Sequence, residues 1–424
     1  MSADLKLSRR GLLAAGSVAL AGVGGGAAAQ GSRVPPPSRI DVGRTGGGRV
    51  TFPSISGEAD PAVRPPPTPR PEGERVGFAV VGLGRLSLEE LLPAFGETER
   101  AKVVALVSGT PEKARLVARQ YDVRPDAIYG YDDWDRIRGN REIQAVYVVT
   151  PNGLHRRDVL NAAAAGKHVL CEKPMANTSA EARDMIAACE RARVKLMIAY
   201  RCQYEKNNRE AIRLFRSGEL GQGRLIEAVN TQIQGDPDQW RLKRALAGGG
   251  ALPDIGIYCL NSARALTGEE PIEVFGRIWN TPNDPRFREV EDNVIFTLRF
   301  PSGVMATCST SYSAFNSKDL RFRNTTGWVD LEDAFAYRGQ RLRRASKEGE
   351  RIPEVPSENQ FALEIDHFAR CVQEDLRPHT PGEEGLQDHV IMEAIYQSAR
   401  TGQPVSLPAV RGRDVFRGPP PQQS

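Results

Sequence analysis

The sequence predicts an α/β protein in which a parallel, helix-covered sheet comes first and an α+β unit with a largely antiparallel, open sheet follows. Three observations carry this expectation. From residue 76 to 199, short β-rich apolar runs alternate with helix-like stretches, the pattern of strand–helix–strand crossovers. Beyond residue 200, strand-like runs succeed one another across short turns, which favours antiparallel pairing. Between residues 30 and 74 the chain has no apolar periodicity from which to build a core. The 424 residues therefore divide into a leader (1–29), a proline-rich arm (30–74), a first folded unit (75–199) and a second (200–424).

The leader opens with Ser8-Arg9-Arg10-Gly11-Leu12-Leu13, continues through a Gly/Ala-rich apolar run and ends Ala27-Ala28-Ala29-Gln30. Paired arginines, a weakly apolar stretch and a small-residue cleavage site predict export by the twin-arginine machinery to the periplasm. That route carries folded proteins, and no membrane attachment is expected after processing. Pro35-Pro36-Pro37 and Pro65-Pro66-Pro67 make the arm stiff and extended, suited to lying along a surface. The leader carries half of the formal charge of +4. The nearly neutral remainder argues against nucleic acid as a partner. The six cysteines are widely spaced, with no Cys-x-x-Cys pair and no histidine at ligand spacing, so no metal site is expected.

In the first folded unit, a strand over 76–81 runs into Gly82-Leu83-Gly84-Arg85-Leu86-Ser87, followed by a helix over 88–95 and a strand over 102–107. This is the setting in which G-x-G-x-x-[G/A/S] marks a Rossmann dinucleotide site. Gly82 permits the tight turn, Gly84 admits a pyrophosphate to the backbone, and Ser87 is small enough for helix–strand packing. The second strand ends Val107-Ser108-Gly109-Thr110-Pro111-Glu112-Lys113. No acid directly follows it to bond a ribose 2′-hydroxyl, whereas Ser108 and Lys113 suit a 2′-phosphate, so NADP is favoured over NAD. A helix over 111–121, a turn at 129–133 and strands over 143–149, 168–171 and 195–199 complete the unit. Helices over 156–165 and 179–193 join the last three strands. Residues after strand carboxyl ends line the crevice, which places Asn152, His155, Glu172 and Lys173 toward the nicotinamide.

The second unit reads as a helix over 207–217, a strand over 224–234 and a helix over 254–266. Strand-like runs follow at 272–279, 293–300, 304–311, 320–324 and 327–332, and helices over 361–374 and 384–401 close the chain. The basic run 338–347 reads as a solvated hairpin. Asp254 and Tyr258 stand four apart and share a helix face. Gly248-Gly249-Gly250 before them would let the chain approach the nicotinamide closely.

Gly82-Leu83-Gly84, Pro151-Asn152-x-x-His155 and Glu172-Lys173-Pro174, in this order and spacing, resemble the Gfo/Idh/MocA oxidoreductases. Ala105-Leu106-Val107-Ser108-Gly109, Ala199-Tyr200-Arg201-Cys202, Gln239-Trp240-Arg241-Leu242 and Pro381-Gly382-Glu383-Glu384-Gly385 are similar to the bacterial glucose–fructose oxidoreductase branch of that family. The leader and arm match its exported members. The resemblance implies tightly bound NADP held by Gly82, Gly84, Arg85, Leu86, Ser108, Lys113, Tyr131, Asn152, His155, Glu172, Lys173, Arg201, Trp240, Arg241 and Tyr337. It implies that Lys173, Asp254 and Tyr258 surround the reacting sugar carbon. It also implies a homo-oligomer, a tetramer or a dimer, in which the arm of one subunit lies over the cofactor of another. The stretch before Trp240 is shorter than in that branch, and Cys259 stands where it has glycine.

The chemistry expected is ping-pong hydride transfer. An aldose is oxidised to a lactone, and a second, fructose-like sugar is reduced to an alditol on the same cofactor. Tyr258 would exchange the proton, Lys173 would lower its pKa, and Asp254 would orient lysine or sugar. Two rivals use the same fold: an aldose dehydrogenase with dissociable NADP and an NAD-dependent glycosidase. The Glu172-Lys173-Pro174 segment and the Ser108/Lys113 pair weigh against the glycosidase.

Overall fold

The computed structural model describes residues 38–53 and 75–421. The segment expected to be a twin-arginine leader (1–29) and the rest of the arm lie outside them. The described part of the arm is a helical turn, Arg39–Val42, capped by the Ser38 hydroxyl, and a small antiparallel hairpin of β1 (Arg44–Gly46) and β2 (Arg49–Thr51).

Six parallel strands follow: β3 (Val76–Val81), β4 (Ala101–Val107), β5 (Ile128–Tyr129), β6 (Ala145–Val148), β7 (His168–Glu172) and β8 (Leu196–Ala199). Their order is β5-β4-β3-β6-β7-β8. Every residue of β3 is buried, as its unbroken apolar run requires when helices cover both faces of a sheet. The chain winds outward from β3 to β5, then crosses back to β6. This reversal opens a crevice at the carboxyl ends of β3 and β6, where ligands bind in such sheets. The turn expected at 129–133 begins one step later, because Ile128 and Tyr129 pair with the end of β4.

The second sheet has nine strands: β9 (Gly223–Thr231), β10 (Glu273–Trp279), β11 (Asn293–Arg299), β12 (Met305–Ser311), β13 (Ser317–Asn324), β14 (Gly327–Glu332), β15 (Arg341–Ser346), β16 (Gly349–Arg351) and β17 (Val405–Ser406). The order is β16-β15-β14-β13-β9-β12-β11-β10-β17. Only β9 and β12 run parallel, so the sheet is mixed and mostly antiparallel, as the run of short turns predicts. Alternation along β11 buries Val294, Phe296 and Leu298 and exposes Ile295, which leaves one face of the sheet open. The basic run becomes the β15–β16 edge hairpin, where Arg341 and Arg343 pair with Glu332 and Glu350. Such charges keep an edge strand from pairing further.

Helix Gly382–Thr401 joins the two sheets. Its Gly385 packs within van der Waals reach of Met175 and Ile198 beside the first sheet, and its Ser398 hydroxyl accepts the Gly276 amide of the second. All six cysteines are free and buried, consistent with small core residues.

Candidate active site

The first half of the site is a glycine cradle. Gly82 has φ +100°, and a Cβ there would stand 2.9 Å from the Val149 carbonyl oxygen, so only glycine fits. Gly84 has open space where a side chain would be. The Ser87 hydroxyl folds back onto the Gly82 carbonyl, and the helix expected over 88–95 starts as a wider π-turn, Ser87–Leu91. Leu86 packs against the core. At the end of β4, Ser108 is buried, and Tyr131 lies against Gly109 with Arg157 over its ring. Lys113 reaches back from helix Pro111–Gln120 to donate to the Leu83 carbonyl at 2.7 Å and to the arm's Val42 carbonyl at 2.5 Å. Burial pulls its pKa down to about 8. Arg85 pairs with Glu89, donates to the Pro53 carbonyl and lies over the Phe52 ring.

The open side of Gly84, two cations and a serine at the end of β4 fit a dinucleotide carrying a 2′-phosphate. The described arm residues lie over the cradle of their own chain. The contacts responsible are the Val42 carbonyl on Lys113, Phe52 between Arg85 and Lys113, and the Asp41 carboxylate accepting the Trp240 amide at 3.1 Å.

The second half is a buried charge cluster. Lys173, just past β7, has an 11% exposed side chain. Its ammonium donates to the Asp254 carbonyl at 2.7 Å and lies 3.3 Å from the Asp254 carboxylate. The other carboxylate oxygen of Asp254 accepts the Tyr312 hydroxyl at 2.6 Å and pairs with Arg241 at 3.3 Å. Trp240 stacks beneath the Arg241 guanidinium. Asp254 sits in a π-turn, Leu252–Gly256, that leads into helix Ile257–Thr267. The four-residue spacing still brings Asp254 and Tyr258 to the same lysine, because the Lys173 ammonium stands 4.7 Å from the Tyr258 ring centre. Glu172 accepts the Tyr147 hydroxyl and the Lys173 amide.

Burial works against charge on Asp254, but Lys173 and Arg241 outweigh it and hold the carboxyl below its ordinary range. Burial pulls the Lys173 pKa down, and the neighbouring Arg241 and Arg201 add to this against the pull of Asp254 and Glu172. Burial drives the Tyr258 phenol well above its usual value, with Arg201 opposing. This corrects the expectation of a phenol made acidic by Lys173. The ammonium lies over the ring face, not at the hydroxyl, so Tyr258 is a neutral donor at rest.

Three residues expected at the cofactor are otherwise engaged. Both ring nitrogens of His155 face backbone carbonyls, of Thr150 at 2.7 Å and Pro174 at 3.0 Å, and burial lowers its pKa to about 4. As a neutral ring it carries one N–H and donates to one of these two carbonyls. The Asn152 amide donates to the Ala247 carbonyl. Arg201 is spent on the Phe335 and Ala336 carbonyls and the Gln360 side chain, and lies beside the Tyr258 and Tyr337 rings. The glycines at 248–250 are also reassigned. Side chains there would strike Asn177, Tyr396 and the Glu291 backbone, so they serve close packing in the protein rather than approach to a nicotinamide. Sequence reasoning missed Tyr312 and Asp41. No motif marks either, because each reaches the site through long-range folding.

A doubly wound sheet with a glycine cradle at its switch point, beside a lysine–carboxylate–tyrosine cluster, defines a dinucleotide-dependent oxidoreductase. The chain belongs to the Gfo/Idh/MocA oxidoreductase family. Residues 76–200 match its NAD-binding Rossmann-fold domain, 208–329 a Gfo/Idh/MocA C-terminal domain, and 331–407 the family's C-terminal alpha/beta domain. It is 35% identical to a D-xylose 1-dehydrogenase [NADP(+)] of Haloarcula marismortui over 78% of this chain and 93% of that one. It is 27% identical to a 1,5-anhydro-D-fructose reductase of Ensifer adhaerens, over 78% and 98% of the two chains. Among solved structures, an aldose–aldose oxidoreductase from Caulobacter crescentus, complexed with glycerol, superposes with a TM-score of 0.77 at 46% identity. That match covers 79% of this chain and 100% of that one.

Proposed function

We propose that this protein is an NADP-containing sugar oxidoreductase that oxidises an aldose at C1 to its lactone and reduces a second sugar to an alditol. The observation that carries the reading is the convergence of Lys173, Asp254 and Tyr258 beside a cradle backed by Ser108, Arg85 and Lys113. The sugar-named relatives support the substrate class. The aldose–aldose relative supports an aldose as the second sugar, alongside the fructose-like ketose of the glucose–fructose branch. Retained NADP would supply the hydride acceptor for one half-reaction and the donor for the other.

The chain's own residues supply the rest. Lys173, its pKa lowered by burial, takes the proton from the sugar hydroxyl in oxidation and returns it to the carbonyl oxygen in reduction. Asp254, itself held by Tyr312 and Arg241, fixes the lysine in place. Tyr258 donates a hydrogen bond to the sugar oxygen. Arm residues lying across Arg85 and Lys113 support slow cofactor release and hence ping-pong turnover. The twin-arginine leader supports a periplasmic enzyme loaded with cofactor before export. Trp279, Ile295 and Met305, 59%, 56% and 53% exposed on the open sheet face, support pairing of subunits there. In light scattering, Ile295→Lys is expected to lower the assembly mass; an unchanged mass would reject that face.

The test uses protein purified without added cofactor and then dialysed. Near-ultraviolet absorbance should reveal bound nicotinamide that a second sugar bleaches and an aldose restores. Lys113→Ala should lose at least about tenfold in retention, the worth of one charge-assisted bond. The D-xylose dehydrogenase relative favours a second reading, an aldose dehydrogenase with dissociable cofactor. Cofactor-free protein that turns over only with added NADP would establish it in place of the first.

A further inference from the structure

Helix Gly382–Thr401 grips all three segments that carry Lys173, Asp254 and Tyr258. Gly385, His389, Glu393 and Tyr396 stand four, four and three apart, so they form one stripe along it. The stripe runs beside the chain that follows Lys173. A Cβ at Gly385 would stand only 3.0 Å from Met175. The His389 Nε2 accepts the Ala176 amide at 3.0 Å, and the Glu393 carboxylate accepts the Ser179 amide at 2.8 Å and the Ser179 hydroxyl at 2.9 Å. His389 is buried, and burial lowers its pKa to about 4. The ring therefore stays neutral and Nε2 keeps the lone pair that holds Ala176.

Further along the stripe, Tyr396 reaches the chain that precedes Asp254. Its hydroxyl donates at 2.8 Å to a Glu291 oxygen that also accepts the Gly250 amide at 2.9 Å and the Leu252 amide at 3.1 Å. From a neighbouring stripe, Glu384 and Asp388 each accept the Asn261 side-chain amide at 2.9 Å, on the helix that carries Tyr258. Residues 385 and 396 are about 16 Å apart along one helix axis. The Lys173 and Asp254 segments are thus mounted on a common ruler, and their side chains meet 3.3 Å apart through groups that touch neither.

We propose that His389 and Tyr396 are positioning residues, which set the separation of Lys173 and Asp254 through the backbone on either side of the site. This rests on the proton-transfer role given to Lys173 above. The test is single-turnover hydride transfer across pH in the full, NADP-loaded protein, with glucose as the aldose. His389→Leu should slow transfer by at least about tenfold and Tyr396→Phe by about threefold or more, below the roughly hundredfold that 1 Å of misplacement can cost. The glucose concentration for half-maximal rate should stay within about twofold. In both variants the limb where the rate rises with pH should move to lower pH, because Asp254 is the main group holding the proton on Lys173. His389→Gln, whose amide oxygen can take the place of Nε2, should recover the native rate and limb. Ser398→Ala is the control. Its hydroxyl, on the same helix, bonds the Gly276 amide and the Gln403 carbonyl, away from the three segments. It should lower the thermal midpoint and leave rate and limb unchanged. Tyr396→Phe, which removes one hydroxyl, decides alone if the leucine variant does not fold. The proposal falls, and the reaction stands, if either variant keeps the native rate and limb or if Ser398→Ala slows transfer as much. Native protein that transfers no hydride, or shows no limb, overturns the reaction and the proposal with it.

Discussion

Replacing Lys173 with methionine is expected to slow hydride transfer by at least ~10²-fold, the worth of a positioned proton donor and acceptor. The side chain has nearly the same length, so the pocket keeps its shape and loses only the ammonium that Asp254 holds. Aldose oxidation requires the neutral amine, so in the native enzyme the rate should rise with pH through the Lys173 pKa. That limb should lie below the ordinary lysine range, because burial disfavours the charged form. In the methionine variant the limb should vanish. Single-turnover rates across pH, read at the nicotinamide absorbance, decide the matter. A variant within a few-fold of native, or one that keeps the limb, would remove Lys173 from proton transfer. Tyr258→Phe serves as the comparison. A neutral donor contributes orientation, so its loss should lower the rate at every pH without moving the limb.

Replacing Arg264 with methionine is expected to cost about 3–5 kcal/mol of stability, the effect of stripping a buried ion pair of one partner. Arg264 is fully buried and forks onto Glu270 at 2.7 and 2.8 Å, Glu384 at 2.9 Å and Asp388 at 2.6 Å. Burial holds the Asp388 carboxyl above its usual range even with this cation present, whereas Arg264 and Arg417 together hold Glu384 below its usual range against the same burial. Without Arg264, Glu384 keeps Arg417, bonded at 2.8 Å, but Glu270 and Asp388 lose their cation. The thermal midpoint should fall by about 4–7 °C, followed by near-ultraviolet circular dichroism. A drop below about 2 °C would mean that the carboxyls simply protonate and the network carries little net energy. Arg264→Lys should rescue only in part, because one ammonium cannot reproduce a fork to three carboxylates.

The residues of the site differ in how far they could be read in advance. Lys173 was legible because a strand carboxyl end places it at the crevice. Asp254 and Tyr258 were legible because four residues make about one helical turn, and a π-turn at Leu252–Gly256 did not disturb that convergence. His155 had the right spacing and a different task. Spacing says where a ring lies but not that Thr150 and Pro174 carbonyls meet both its nitrogens. The three glycines at 248–250 signalled a close approach, and the sequence could not say to what. The answer is Asn177, Tyr396 and Glu291, residues up to about 150 positions away along the chain.

By itself the sequence determined the order of the elements, the parallel character of the first sheet, the mostly antiparallel second sheet, the glycine cradle and the lysine that faces it. These follow from local rules, namely apolar periodicity, turn chemistry and motif spacing, that act over a few residues. Tertiary structure alone decided what those residues are bonded to. It set Tyr312 on Asp254, Arg201 on the Phe335 and Ala336 carbonyls, and the arm's Val42 on Lys113. It also decided the direction of each proton affinity. Burial and the charges of distant segments set those, so Tyr258 became a neutral donor and Lys173 gives up its proton more readily than an ordinary lysine.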